Sequence, residues 1–282
     1  MREVDVPTAG RVLHAYDVGP TERSDELVVL WVHGTPNTGV PPEPLFEPAR
    51  SLGIRWIGYD RPSYGGSAPH PDATVAGAAA DARLIADQLG IGQFSVFGHS
   101  GGGPRALACG ALLPDRVLGV VSVSSPAPWP APGLDYFAGM SDGTARELQA
   151  AVRGRAALEE VLASNEFDPD SFIPADYGAL EANWSWFNHI VAAGTANGLD
   201  GMVSDDVSAM APWGFELAEI SAPTLIMHGM ADRMVPSSHG EWLAAHCPTA
   251  ELRLQPGEGH ISVLNSAPDA LAWLRQVVTA CS

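Results

Sequence analysis

The sequence of 282 residues carries a formal net charge of −18, and all fifteen of its basic residues are arginine. A chain this acidic repels phosphate backbones, so we expect a small-molecule substrate and no nucleic acid as a partner. The lack of lysine excludes Schiff-base chemistry and a Walker-type phosphate loop. Three scattered cysteines, Cys109, Cys247 and Cys281, do not form a disulfide framework. No signal peptide or membrane-spanning run is visible, and we expect a cytoplasmic protein without a membrane partner.

Short apolar strands alternate with helical segments along most of the chain. The segments 3–6 and 11–18 predict an antiparallel hairpin at the edge of a sheet. Apolar strands are then predicted at 27–33, 54–60, 93–98, 117–124, 223–229 and 250–255. Helices are predicted at 74–89, 101–113, 238–245 and 268–280. Continuous apolar strands separated by helices predict an α/β fold, with a mostly parallel sheet covered by helices on both faces.

Residues 126–210 interrupt this alternation. The segment has no strand-like run, is rich in proline at first, and is then helical and aromatic. We predict that it is a helical cap inserted into a core made of residues 1–125 and 211–282. Ligands bind at the carboxyl edge of such sheets, so we expect the cap to cover that edge.

Four cap residues are candidate substrate contacts. Trp184, Trp186 and Phe187 are large apolar side chains, and His189 is a polar side chain among them. For the aromatic side chains, packing within the cap is the more common role.

The first chemical motif is the pentapeptide Gly-His-Ser-Gly-Gly at 98–102, directly after the 93–98 strand and directly before a helix. A strand-to-helix turn this tight favours glycine on both sides and holds the serine in a strained, accessible conformation. Ser100 is therefore the candidate nucleophile. The alternative is a glycine-rich turn that merely contains a serine.

Three more loops follow strands and carry complementary chemistry. The loop after 27–33 begins with His33 and Gly34 and can supply the Thr35 N–H to an oxyanion hole, with Gly101 N–H as the second donor. Asp232 follows the 223–229 strand and is the candidate acid that orients a histidine.

His260 lies between Gly259 and Ile261 after the last strand and is the candidate base, because imidazole accepts protons near neutral pH. From their position, Asp205 and Asp206 stay open as alternatives for the acid.

Together these motifs, in the chain order Ser, Asp, His, resemble the α/β-hydrolase family from Arg11 to Ala280. The segment 60–67, which reads DRPSYGGS, resembles the family's loop after the second parallel strand, although the family usually has glycine where Ser63 stands. The resemblance implies a serine hydrolase with an acyl-enzyme intermediate and no metal or organic cofactor.

We expect such an enzyme to cleave a carboxylic ester, thioester or lactone of a small to medium, mostly apolar substrate. The alternatives are an aminopeptidase, lyase or perhydrolase chemistry at the same serine, and a non-catalytic binding module. Arg146, Arg153 and Arg155 in the cap form either a solvated face or a site for an anionic substrate. The sequence gives no indication of oligomeric state.

Overall fold

The computed structural model describes residues 1–8, 10–20, 25–164 and 167–280, with the exception of the Ser164 side chain. In these residues one sheet of eight strands runs through the molecule, in the order β1-β2-β4-β3-β5-β6-β7-β8. The strands are Arg2–Thr8 (β1), Arg11–Asp17 (β2), Leu27–Val32 (β3), Ile54–Tyr59 (β4), Phe94–His99 (β5), Val117–Val123 (β6), Thr224–Gly229 (β7) and Ala250–Gln255 (β8). Strands β3 to β8 are mutually parallel, which confirms the predicted α/β class.

The first two strands form the predicted edge hairpin. β1 pairs with β2 antiparallel, and β2 pairs antiparallel with β4. The hairpin therefore extends the parallel part of the sheet at one side, while β5 lies near the centre.

The helices lie between and after the strands. They are Phe46–Ser51 (α1), Gly77–Gln88 (α2), Gly103–Leu112 (α3), Asp142–Arg153 (α4), Arg155–Ser164 (α5), Pro174–Glu181 (α6), Trp186–Thr195 (α7), Asp200–Ala209 (α8), Ser237–His246 (α9) and Ala267–Ala280 (α10). The α1 helix was not predicted, because six residues are too few to show a helical period. The helix predicted at 74–89 begins only at Gly77, whose backbone N–H donates to the Thr74 hydroxyl at 3.0 Å.

Burial on both faces explains the continuous apolar runs. Along β3, Val28, Leu30 and Val32 pack into the core on the side of α2 and α3. Their neighbours Val29 and Trp31 pack into a second core on the side of α1 and α10. Because side chains alternate between the faces of a strand, a strand covered on both sides needs apolar residues at every position.

Helices α4 to α8 lie between β6 and β7, within the segment that the sequence indicates as a cap. The aromatic core beneath α7 includes Trp31, whose ring centroid lies 6.3 Å from that of Trp186 on α7. None of the described helices combines the length and apolar character that crossing a membrane requires. Cys109 and Cys247 are buried free thiols, and Cys281 lies outside the described residues.

Candidate active site

Ser100 occupies the turn between β5 and α3. Its backbone φ is 53°, in the left-handed region that is costly for a residue with a side chain. The turn leaves no room beside it, since a Cβ at Gly98 would lie 2.5 Å from the backbone oxygen of Gly102. The serine is partly exposed, whereas the strand that precedes it is buried throughout. The local sequence thus presents one hydroxyl at the carboxyl end of a central strand.

His260 joins Ser100 to Asp232. Its Nε2 lies 2.9 Å from the Ser100 Oγ, and its Nδ1 lies 2.8 Å from the Asp232 Oδ2. The other oxygen of Asp232 accepts the backbone N–H groups of Met234 and Val235, each at 2.9 Å. These bonds fix the carboxylate, and the carboxylate fixes the imidazole with Nε2 towards the serine.

The electrostatics suit proton transfer from the serine. Burial raises the pKa of Asp232, but His260 and His228 outweigh it and leave that pKa below its ordinary range. Burial lowers the pKa of His260, but the charge and hydrogen bond of Asp232, together with Asp176, leave it raised. A histidine that binds its proton more tightly is a stronger base, so His260 can take the hydroxyl proton of Ser100.

The predicted oxyanion residues flank the serine. A Cβ built on Gly34 would lie 3.3 Å from the Ser100 Cβ, and a Cβ on Gly101 would lie 2.5 Å from the Thr35 Oγ1. The loop after β3 therefore runs directly beside the Ser100 turn. Thr35 and Gly101 are both partly exposed at this place. Backbone N–H groups beside a nucleophilic serine can stabilise an oxyanion on the carbon that it attacks, so Thr35 and Gly101 stay the candidate donors.

Behind this loop lies a buried ionic network centred on Asp205 of α8. Its carboxylate pairs with Arg61 and lies 2.8 Å from the Arg105 Nη2. It also accepts the hydroxyl groups of Thr35 and Tyr64, each at 2.8 Å. Burial raises the pKa of Asp205, but Arg105 and Arg61 outweigh it and leave that pKa lowered. The carboxylate is thus charged, and it is fully engaged.

The three candidate acids, Asp232, Asp205 and Asp206, differ in their contacts with His260. Asp232 contacts His260, whereas Asp205 is held by two guanidinium groups. Asp206, the next residue on α8, has its pKa raised well above the ordinary value by burial, then by Glu147 and Asp205. Neither α8 carboxyl shares a hydrogen bond with His260 in the described residues.

The comparisons with known proteins agree with this architecture. The sequence model of the family described as "alpha/beta hydrolase fold" matches residues 28–267, which is most of the chain. The chain belongs to the α/β-hydrolase fold family.

Several named relatives of this α/β hydrolase are hydrolases. The 2-hydroxy-6-oxononadienedioate/2-hydroxy-6-oxononatrienedioate hydrolase of Klebsiella pneumoniae is 29% identical, over 92% of this chain and 88% of the relative. The pimeloyl-acyl-carrier-protein methyl ester esterase of Nitrosomonas europaea is 27% identical, over 65% of this chain and 70% of the relative. The enol-lactonase of Burkholderia xenovorans LB400 is 20% identical and superimposes with a TM-score of 0.72, over 98% of this chain and 100% of that structure.

In this α/β hydrolase, the three aromatic residues predicted to contact substrate are buried. Trp184 donates its indole N–H to the Asn265 Oδ1 at 3.2 Å, and Trp186 packs on Trp31. The ring centroid of Phe187 lies 5.6 Å from that of His99, the residue before Ser100. Their exposed fractions, 2%, 9% and 3%, show that all three side chains are packed in the interior.

The polar residue of the predicted cap contacts, His189, lies at the surface of α7. His189 is exposed, because the buried face of α7 is formed by Phe187, Ile190 and Gly194. Residue 189 therefore lies outside the buried face of the helix, and contact of His189 with a substrate stays a prediction.

The arginines of the predicted cap cluster also lie at the surface. Arg146 and Arg153 are exposed, and Arg155 bonds to the Ser204 hydroxyl at 2.7 Å. This placement favours the solvated face over an anion site.

Sequence reasoning did not find Asp176, Arg61 or Arg105. Arg61 stands in the DRPSYGGS loop, where the resemblance drew attention to Ser63 only. Arg105 and Asp176 sit in ordinary helical contexts, and their partners are distant in sequence. Only a charged residue at an apolar position of α3 could have pointed to Arg105, which is 3% exposed.

Proposed function

We propose that this chain is a serine hydrolase that cleaves a carboxylic ester, thioester or lactone through an acyl-enzyme intermediate. The observation that carries the proposal is the unbroken chain of contacts from the Ser100 Oγ through His260 to Asp232. Hydrolase relatives, among them an esterase and an enol-lactonase, support the reaction class.

The first half of the reaction forms the acyl-enzyme. His260 Nε2 takes the hydroxyl proton while the Ser100 Oγ attacks the carbonyl carbon, and the carbonyl oxygen becomes an oxyanion beside Thr35 and Gly101. Collapse of this intermediate breaks the bond to the leaving alcohol, thiol or ring oxygen, which receives the proton from His260. Asp232 stabilises the transient imidazolium without taking its proton.

The second half frees the acid. A water molecule gives one proton to His260 as its oxygen attacks the acyl carbon. The second tetrahedral intermediate then releases the acid, and His260 returns the proton to the Ser100 Oγ. The cycle regenerates the enzyme and consumes one water per ester bond.

The charges around the site favour a neutral substrate. The loop after β3 that carries Thr35 is called the oxyanion loop. Arg61 and Arg105 are buried cations behind this loop, and both are already paired with Asp205. An anionic substrate group would have to compete with that carboxylate for them. We therefore propose that short aryl and alkyl esters turn over better than esters with a second carboxylate.

Labelling and turnover test the proposal together. A fluorophosphonate probe should label the wild-type protein on Ser100, and p-nitrophenyl acetate and butyrate should be hydrolysed. Ser100→Ala should lose both while keeping its far-UV circular dichroism, since the change removes little packing. Labelling of a different serine, or full activity in Ser100→Ala, would show that the assignment is wrong.

The role of Asp232 as the acid that orients His260 is tested by comparing two variants, Asp232→Asn and Asp206→Asn. Asp232→Asn should lower kcat by about 10⁴, as the loss of the correct imidazole tautomer does in a comparable triad. Asp206→Asn, a buried carboxyl without contact to His260, should keep kcat close to that of the wild type. The reverse ranking would move the acid to α8.

A further inference from the structure

Asp176 links the cap to the loop that carries His260. It lies in the first turn of α6 and is fully buried. Its Oδ1 accepts the backbone N–H groups of Ile261 and Ser262, each at 2.8 Å, and its Oδ2 accepts the N–H of Ile173 at 3.1 Å. One carboxylate from the cap therefore holds the two residues that directly follow the candidate base.

The loop is shaped to receive this carboxylate. A Cβ at Gly259 would lie 2.1 Å from the Asp176 Oδ2, so glycine leaves the space that the carboxylate occupies. The N–H of Gly259 donates to the Ser262 Oγ at 2.8 Å. The backbone is thus fixed on both sides of His260, whose Nε2 must meet the Ser100 Oγ.

Asp205 links the cap to the other loop beside Ser100. Its carboxylate accepts the Thr35 hydroxyl directly. Its arginine partners hold the backbone on both sides of the proposed oxyanion site: Arg61 donates to the backbone oxygen of Gly34, the residue before Thr35, at 3.2 Å, and Arg105 donates to that of Gly101 at 2.6 Å. The cap therefore contacts the oxyanion loop and the His260 loop through separate buried carboxylates.

We propose that Asp176 and Asp205 are positioning residues, through which the cap holds the His260 loop and the oxyanion loop in place around Ser100. The inference rests on the proposed serine hydrolase. It makes the cap part of the catalytic frame, in addition to any role in covering the substrate. A displacement of about 1 Å at such a loop is enough to cost about 10²-fold in rate.

A purely structural role predicts something different. If the two carboxylates only stabilised the fold, their loss would lower the melting temperature and leave kcat per folded molecule unchanged. Positioning predicts a fall in kcat with little change in KM, because substrate binding does not need the aligned base.

Asp176→Asn is the first test, with Asp168→Asn as its control. Asp168 is also a cap aspartate, and it accepts the N–H groups of Gly143 and Asp170 at 2.8 and 3.0 Å, but both donors belong to the cap. We expect Asp176→Asn to lower kcat by about 10²-fold. The acid limb of its pH profile should move to lower pH, because the Asp176 charge contributes to the raised pKa of His260. Asp168→Asn should keep the wild-type kcat and pH profile.

A second variant displaces the same carboxylate without removing it. Gly259→Ala places a methyl group against the Asp176 Oδ2 and should lower kcat in the same way. If Asp176→Asn does not fold, Gly259→Ala decides. A wild-type kcat in either folded variant, or an equal loss in Asp168→Asn, would overturn the role of Asp176.

The hydrogen bond between the Thr35 hydroxyl and Asp205 is tested by replacing Thr35. Removing Asp205 itself would leave two buried guanidinium groups without their partner. Thr35→Val deletes the hydroxyl with little change of shape, and Thr35→Ser keeps it. We expect Thr35→Val to lower kcat by about 10-fold, the effect of losing about 1.4 kcal/mol of transition-state stabilisation, and Thr35→Ser to restore most of it. Equal kcat in Thr35→Val and Thr35→Ser would overturn the positioning role of Asp205.

The rate of fluorophosphonate labelling separates this inference from the proposed function. No labelling of Ser100 in the wild type would mean that the proposed function itself fails. Labelling of the wild type, with equal rates in Asp176→Asn and Thr35→Val, would mean that only the positioning role fails.

Discussion

The Nε2 of His99 donates a hydrogen bond to the backbone oxygen of His260 at 3.0 Å. The residue directly before the candidate nucleophile thus holds the backbone of the candidate base. Burial, followed by the nearby His260, lowers the pKa of His99 to about 3, so its ring stays neutral. The Ser124 hydroxyl donates to the same oxygen at 3.4 Å. Asp176 accepts the N–H groups of the next two residues, Ile261 and Ser262. The backbone that follows His260 is therefore held at its carbonyl oxygen and at its N–H groups.

Replacement of His99 tests the value of this anchor. His99→Leu keeps an apolar volume but deletes the donor, and we expect kcat for p-nitrophenyl butyrate to fall by about 10-fold, as for one lost positioning bond. His99→Gln retains an N–H donor and should lose less. Equal kcat in the Leu and Gln variants would show that the hydrogen bond does not position His260.

The pH profile should report the raised pKa of His260. The base acts only when neutral, so kcat/KM should fall as the pH falls through the pKa of His260. Because Asp232 and Asp176 raise that pKa above its ordinary value, the midpoint of the acid limb should lie above about pH 6.5. A kcat/KM profile measured from pH 5 to 9 in constant ionic strength tests this, and a midpoint well below 6.5 contradicts it.

Two neighbouring residues on α8 should have opposite effects on stability. Burial, Glu147 and Asp205 raise the pKa of Asp206, so its stabilising contribution is complete below its unfolded pKa and is lost as the pH rises through its folded pKa. Asp206→Asn should therefore stabilise the fold by about 1–3 kcal/mol at pH 8, and by less at pH 5.

Asp205 provides the contrast. Its folded pKa is lowered, so its contribution is present above its unfolded pKa and is lost as the pH falls. Asp205→Asn leaves Arg61 and Arg105 without a carboxylate and should cost about 3–5 kcal/mol at pH 8. Urea unfolding of both variants at pH 5 and pH 8 measures the difference, and the same sign for both at pH 8 would refute the assignment.

Ser63 stands where the family usually has glycine, and its backbone conformation is unfavourable for serine. Its φ is 73°, where glycine is free of the Cβ clash that a serine suffers. Ser63→Gly should stabilise the protein by about 0.5–1 kcal/mol, after the extra backbone entropy of glycine is subtracted. Differential scanning calorimetry should show a rise of about 1–4 °C in melting temperature. A lower melting temperature would mean that the serine hydroxyl makes a compensating contact.

The parts that the sequence predicted well have local signals. Strand β5, the serine turn and the loop that carries Asp232 are each defined by fewer than about ten consecutive residues, and their patterns are set by burial and backbone geometry. The carboxyl ends of parallel strands meet at one edge, so these local signals also predicted that Ser100, Asp232 and His260 would come together.

The parts that the sequence did not predict depend on distant contacts. Asp176 meets Ile261 across 85 residues and accepts backbone N–H groups, which every residue except proline carries. Asp205 meets Arg61 across 144 residues. The sequence of α7 did not indicate which face would be buried, because an aromatic side chain such as Trp186 is suited both to packing and to contact with a substrate.

The hydrogen bonds of Asp176 also restrict how this protein can be recombined with its relatives. A chimera that received the cap of another α/β hydrolase would keep Ser100, Asp232 and His260 in its own core sequence. It would still lose the acceptor for the Ile261 and Ser262 N–H groups unless the donor cap carried a carboxylate at the matching helix start. An exchange of caps to alter substrate range should therefore leave Asp176 and its short helix in place, together with the core of this protein.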